Sequence, residues 1–378
     1  MRIQYRLLFA TLVLVVCLLG PAPLAFAYQN VEHQQPQENT FAVIGEVWRT
    51  PAKSQDRTGT CWCFSTISFI ESELHRLGVG EYELSEMFTV YHAYLEKARR
   101  YLRLHGHNNF GQGGLSHDVT WLVGRHGLFR DSDYSGLQPG EERYNHGELA
   151  RELREYVESI LSAEQGLPPG WEDGLRAILD THLGPLPENI EVDGRRVTPQ
   201  RFATEILGFD PGNYVEITSY SYMPFDRQGE LLIPDNWMHN DGYYNVGLED
   251  YMRILDYALG NGYSVVVDAD VSEPTIHSDQ GYAVVEQDGG GTVVNQAERD
   301  AMFDDFSTTD DHLMHVVGLA TDEGGGRYYL TKNSHGPDRG PYEGHIYLSA
   351  NYVRAKVLAF MVHVDGIPPD LRQRLEIE

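Results

Sequence analysis

The chain has 378 residues, 29 of them basic and 56 acidic, and a formal charge of −27. That length is ample for a large core divided into two lobes or domains. So negative a field makes nucleic acid and anionic membrane surfaces poor partners, and neither is expected to be bound.

Arg2 and Arg6 precede the apolar run Leu7 to Leu19, and Ala25-Phe26-Ala27 is a small-residue cleavage site. Residues 1–27 therefore read as a signal peptide that is removed. The run is too short for a membrane span and breaks at Gly20-Pro21. Cys17 lies inside it without the small residues that precede a lipidated cysteine. The protein is expected to be exported, periplasmic or secreted, with no anchor. Only Cys61 and Cys63 then remain. Two residues apart on a helix, they point away from each other, so no bridge joins them even in a compartment that permits disulfides.

Residues 28–44 are polar and rich in Gln and read as a flexible segment; a short strand follows through Val47-Trp48. From residue 45 the chain reads as one catalytic domain. Gln55-Asp56-Arg57-Thr58-Gly59-Thr60-Cys61-Trp62-Cys63 is a loop that runs into a helix, whose apolar side is marked by Ile67, Ile70, Leu74 and Leu77 before Gly78 stops it. A cysteine in the first turn sits among unpaired N–H groups at the positive end of the macrodipole, which favours a thiolate. Gln55 can fold back and offer an amide N–H beside that of Cys61, a two-donor oxyanion hole. Cys63 reads as a packing residue.

Ser85 caps a second helix that continues to Leu104, and His105-Gly106-His107 is a solvated loop with no third metal ligand at useful spacing. The run Gly111-Gln112-Gly113-Gly114 leaves backbone bare at Gly113 and Gly114, where an extended peptide can pair. A helix from His117 to Gly124 follows. Residues 140–247 read as a helical insertion, with stripes at Leu149, Leu153, Val157 and Leu161, at Leu175 to Leu183, and after Thr198-Pro199. Leu248, Met252, Leu255 and Leu259 mark one more helix. The period then changes to strands at 263–271 and 281–285, a glycine loop through Gly289-Gly290-Gly291, and a strand-rich end. Helices first and strands later argue for an α+β fold with two lobes.

Asp311-His312-Leu313-Met314-His315 and Leu330-Thr331-Lys332-Asn333-Ser334 form the two arms of a hairpin. His312 and Asn333 are equidistant from the point between Asp322 and Glu323, so both fall at the open end. A thiolate attacks a carbonyl, an imidazolium activates it and later protonates the leaving amine, and a neutral amide holds the imidazole in its working tautomer. Cys61, His312 and Asn333 are the residue types that this chemistry needs. His315 faces the other side of its strand, His335 is too near Asn333 to be the histidine it orients, and His345 lies beyond the hairpin.

Gln55, Cys61-Trp62, Gly113-Gly114, Asp311-His312 and Lys332-Asn333-Ser334 together resemble, in type and order, the papain-like cysteine peptidases. With a long helical stretch between them, Cys61 and His312 are 251 residues apart (312 − 61), beyond the roughly 130–150 of compact members. With Ile233-Pro234-Asp235-Asn236-Trp237-Met238 and the ending Val362 to Pro369, that stretch resembles the bleomycin hydrolase and aminopeptidase C branch. The resemblance implies a papain-like two-lobed fold, with the Cys helix in a helical lobe and His and Asn in a β-rich lobe. It implies peptide substrates, Gly113, Gly114 and Asp311 as substrate-binding positions, no metal or cofactor, and trimming from the amino end. In that branch the C-terminal carboxylate, here that of Glu378, meets the substrate's ammonium, and the chains often form hexamers. A papain-like endopeptidase and a catalytically silent peptide-binding scaffold are the alternatives. A transglutaminase-like acyl transferase ranks last, because it has neither the Gln55 element nor the asparagine. Where the family usually carries tryptophan after Asn-Ser, this chain has His335.

Overall fold

The computed structural model describes residues 40–163 and 166–377. The expected signal peptide, the flexible segment up to residue 39, and Glu378 lie outside the described residues.

After strand β1 (Ala42–Glu46) comes the cysteine helix α1 (Cys61–Arg76). From Cys61 to Leu74 α1 is buried on all sides, not along the single stripe expected, and Leu77 is half exposed. Small polar residues (Ser65, Thr66, Ser68, Ser72) between the large apolar ones let neighbours close on every face. Helix α2 (Glu86–Arg103) starts where Ser85 Oγ accepts the Phe88 N–H at 3.0 Å. Helices α3 (Ser116–His126), α4 (Gly147–Ser162) and α5 (Trp171–Leu183) complete a helical lobe. Its core joins Trp62, Leu74, Phe88, Leu122, Leu149 and Leu179.

A small hairpin, β2 (Ile190–Val192) with β3 (Arg195–Val197), precedes α6 (Pro199–Arg201). Thr198 caps α6 and its turn runs on as a π-helical segment, Phe202–Ile206. The helical part of the expected insertion ends there. Strands β4 (Tyr214–Thr218), β5 (Arg227–Gly229) and β6 (Tyr243–Asn245) belong to the main sheet. Tyr214 to Thr218 is rich in aromatic and β-branched residues and pairs with the last strand of the chain, a partner too remote in sequence to be read locally.

Helix α7 (Leu248–Gly260), strand β7 (Val265–Ala269) and the short strands β8 (Ile276–His277) and β9 (Tyr282–Ala283) follow. The glycine run expected as a loop is the end of a short helix, α8 (Glu286–Gly290). Asp288 caps it by accepting the Val285 N–H at 2.9 Å, and Gly291 closes it at φ +67°. Then come α9 (Gln296–Asp304), β10 (His312–Thr321), β11 (Arg327–Lys332), β12 (His345–Ser349), α10 (Ala350–Lys356), β13 (Val357–His363) and α11 (Pro369–Leu375).

Among the described residues the sheet has eleven strands, in the order β5-β6-β4-β13-β7-β10-β11-β12-β9-β8, with β1 on the far end of β10. Successive side chains alternate between its faces. Val266, Leu313 and Met361 join the core of the helical lobe, while Val265, Val267, Met314, Val316 and Phe360 pack with α7 and α11. Helix α1 lies directly on β10, tied by Ser65 Oγ donating to Leu313 O at 2.7 Å.

The described part of the C-terminal arm docks through its apolar turn, as expected from Leu371 and Leu375. Leu371, Leu375 and Ile377 are buried in the layer of α7, on the face of the sheet away from α1. Ion pairs of Arg253 with Asp370 and of Arg372 with Asp365, both 2.6 Å, hold the arm there.

Candidate active site

Cys61 opens α1, and the loop before it is braced by two side chains. Gln112 Oε1 accepts the Gly59 N–H at 2.8 Å, and the Gln112 carbonyl accepts Trp62 Nε1–H at 2.9 Å. The glycine run is thereby fastened to both sides of the cysteine. The backbone N–H groups of Leu313 and Trp62 lie near Cys61 Sγ and favour its thiolate. The thiol thus lies against β10 at the residue next to His312. Cys63 is fully buried, its thiol donating to Glu86 O at 3.3 Å, and both cysteines are free.

The hairpin register differs from the one expected. Thr321 pairs with Arg327 and Ala320 with Tyr328, which centres the turn on Gly324, and a bulge at Val317 shifts the ladder so that His315 faces Lys332. Strict pairing would not put Asn333 opposite His312. It gets there because β11 stops at Lys332 and Asn333 leaves the ladder, its N–H donating to Gly344 O at 3.0 Å. Its side chain then meets His312, with Nε2 donating to Oδ1 at 2.8 Å. An amide oxygen can only accept, so the hydrogen is on Nε2 and Nδ1 keeps a free electron pair. Asn333 Oδ1 also accepts the Ser334 N–H at 2.7 Å, which fixes its orientation.

Gln55 joins the same loop. Its backbone N–H donates to Ser334 O at 2.8 Å, and its Oε1 accepts from Ser334 Oγ at 2.5 Å. One amide hydrogen goes to Thr58 O at 2.7 Å, so in this state Gln55 ties the Cys61 loop to the Asn333 turn. His335 stacks on His312 with ring centroids 5.1 Å apart and planes at 26°, taking the covering position left by the absent tryptophan. His315 is fully buried with Nδ1 at 2.9 Å from Ser68 Oγ, and His345 Nε2 accepts from Arg49 Nε at 3.1 Å.

The other expected contact positions are occupied from within. Gly114 is buried with its α-carbon against the Trp62 indole, where a Cβ would come within 3.0 Å of the ring. The Asp235 carboxylate rests directly on Gly113, whose carbonyl accepts from the buried Lys97 ammonium. Asp311 turns away and braces the exit of β7, accepting the Val271 N–H at 2.8 Å and the Ser272 hydroxyl at 2.7 Å.

Four residues escape sequence reasoning. Asp268 stands opposite Leu313 in the β7–β10 ladder. Asp310 precedes β10 and lies near the Asp235 backbone N–H. Asp235 arrives on the loop after β5, and Lys97 lies beneath the glycine run. Only Asp235 carries a signal in sequence, through the Ile233 to Met238 stretch.

These acids set the electrostatics. Burial pushes the Cys61 thiol up to about 12, with the Leu313 and Trp62 N–H groups pulling against it and Asp310 and Asp235 adding to it. Burial also lowers the basicity of His312, while its bond to Asn333 and the nearby Asp311 raise it. Desolvation thus opposes both charges of the pair, and the backbone N–H groups at Cys61 and the Asn333 bond at His312 pull the other way.

No family model matches the chain, and no curated protein matches it in sequence. Its structure resembles that of PepW from Lactobacillus rhamnosis HN001 (DR20). The TM-score is 0.70 at 17% identity, over 89% of this chain and 84% of that one. A structure from work on the mite allergens Blo t 1 and Der p 1 gives a TM-score of only 0.42 at 17% identity, over 83% and 67%. The likeness to PepW, together with the cysteine helix laid on the histidine strand, gives the chain the fold of the papain-like cysteine peptidases.

Proposed function

We propose that the protein is an exported thiol peptidase that hydrolyses peptide bonds with Cys61, His312 and Asn333. The observation that carries this reading is the His312 Nε2 to Asn333 Oδ1 bond of 2.8 Å, made beside a cysteine whose Sγ lies near the N–H of Leu313. With Nε2–H held by Asn333, Nδ1 takes the thiol proton, and the thiolate attacks the scissile carbonyl. The imidazolium then protonates the leaving amine, and water hydrolyses the thioester. The tetrahedral oxyanion is held by the Cys61 N–H, joined by Gln55 once its amide turns from Thr58 O. Export rests on the leader at residues 1–27, and peptide substrates accord with the likeness to PepW.

Trimming from the amino end is the activity of the branch that the sequence resembles. A papain-like endopeptidase is the second reading, favoured by the seat of Leu371, Leu375 and Ile377 in the layer of α7, on the face of the sheet away from α1. Digestion of a mixed peptide pool, with and without a thiol-alkylating reagent and read by mass spectrometry, tests both. Thiol-dependent loss of single amino-terminal residues supports the aminopeptidase, and internal cuts support the endopeptidase. A pool left uncut would overturn the peptidase reading.

A further inference from the structure

The cleft holds charge that the hydrolytic machinery does not use. Asp268 is 4% exposed, and neither of its carboxyl oxygens has a hydrogen-bond partner; Asp310 Oδ2 has none either. The two carboxyls face each other with no donor between them, so only a shared proton can join them. Asp235 sits over Gly113 at the edge of the same group. The cation that faces these acids is Lys97, and its ammonium is spent on the carbonyls of Gly111 and Gly113. A buried carboxyl without a donor is costly, and a fold keeps one where something else supplies the hydrogens.

The position of the group is as informative as its vacancy of donors. Asp268 is the direct cross-strand neighbour of Leu313, the residue whose N–H lies near Cys61 Sγ. Asp235 lies on the glycine run, where an extended peptide is expected to pair. All three carboxyls stand close enough to Cys61 to act on it electrostatically.

We propose that Asp268, Asp310 and Asp235 form the subsite that receives a cationic group of the substrate, either its α-ammonium or the side chain of a Lys or Arg close to the scissile bond. An ammonium brings three donors, a guanidinium five. Either replaces the shared proton and gives the stranded oxygens their partners. The same charge cancels the field of Asp310 and Asp235 at Cys61, so that binding the right substrate also makes the thiol easier to ionise. This rests on the peptidase reading above.

The test is a matched set of peptides: one with a free α-amine and neutral side chains, its acetylated copy, and acetylated copies carrying Lys or its neutral counterpart Gln ahead of the scissile bond. The quantity read is the ratio of kcat/KM between the charged and the neutral member of each pair. In the wild type one ratio is expected to be at least tenfold: free over acetylated if the α-ammonium is the ligand, Lys over Gln if a side chain is. Asp268→Asn, which keeps the shape and removes only the charge, should lower that ratio by about 10- to 100-fold, the size of a charge-assisted hydrogen bond. Asp310→Asn should lower it in the same direction. Binding of the same peptides to Cys61→Ala protein, measured by calorimetry, separates the two readings. Charge-dependent binding without cleavage by the wild type would leave the subsite standing and overturn the hydrolytic role. Ratios near one, or a ratio unchanged in both Asn variants, would overturn the subsite and leave a proton-sharing pair that serves only packing.

Discussion

Replacing Asn333 by alanine is the most informative single change at the imidazole. In the intact protein Asn333 Oδ1 accepts from His312 Nε2 at 2.8 Å and from the Ser334 N–H at 2.7 Å. Alanine leaves the Nε2–H of a residue only 6% exposed without an acceptor. Such a loss costs about 1–3 kcal/mol, which is roughly a 5- to 150-fold fall in kcat if the correctly held imidazole is needed in the transition state. The sign in pH follows from the causes of the His312 shift. Burial lowers its pKa and the Asn333 bond raises it, so removing the bond lowers it further. If the active form pairs thiolate with imidazolium, activity is lost as pH rises through the imidazole pKa. The alkaline limb of the kcat/KM profile should therefore move to lower pH in Asn333→Ala. The assay is peptide cleavage from pH 4 to 10 for both proteins. A variant within twofold of wild type, with the alkaline limb unmoved, would refute the reasoning.

Three other outcomes are expected. Gln55→Ala should lower turnover by about 10²–10³ if its amide serves the oxyanion. Ser334→Ala, which removes only the brace to Gln55 Oε1, should cost far less, and equal losses in the two variants would make Gln55 a positioning residue alone. His335→Ala uncovers His312 and should lower kcat several-fold, while His335→Trp restores a stacked cover and should hold or raise it; an alanine variant as active as wild type would show that the stack does nothing. Burial and Asp235 raise the Asp310 carboxyl from 3.8 to about 7, opposed by its bond to Asp268. The native state therefore binds this proton more tightly than the unfolded chain, and the stability it contributes below about pH 4 is lost as pH rises to about 7. Asp310→Asn, which cannot ionise, should match wild type in Tm near pH 4 and exceed it by a few °C, on the order of a domain's response to 1–2 kcal/mol, at pH 7.5. A Tm difference that does not change with pH would contradict that.

Much of this was legible in the chain because it is encoded locally. The Ser85 cap, the start of α1 at Cys61, the Thr198-Pro199 helix start and the stripe of α7 each need only a few neighbouring residues, and each stands where the sequence puts it. What the sequence hides is set by remote partners. Tyr214 to Thr218 becomes a strand because β13, far along the chain, offers its edge. The hairpin register hinges on a bulge at Val317 that no residue there announces. Leu371 and Leu375 do dock as one apolar turn, but only the sheet decides which face receives them. At the site, residue types gave Cys61, His312 and Asn333, whereas Asp268 and Asp310 read in sequence as an ordinary strand acid and a loop acid. Their significance arises from β7 pairing with β10 under α1, and from the burial that this imposes.

The most direct measurement compares Cys61→Ala with Cys63→Ala in cleavage of a single defined peptide, after circular dichroism has shown both to be folded. Cys61 opens the helix against the histidine strand, while Cys63 is sealed in the core with its thiol on Glu86 O. Cys61→Ala is expected to abolish cleavage and Cys63→Ala to retain most of it. A folded Cys61→Ala protein that still cuts the peptide, or a Cys63→Ala protein that alone is dead, would contradict the assignment of the nucleophile.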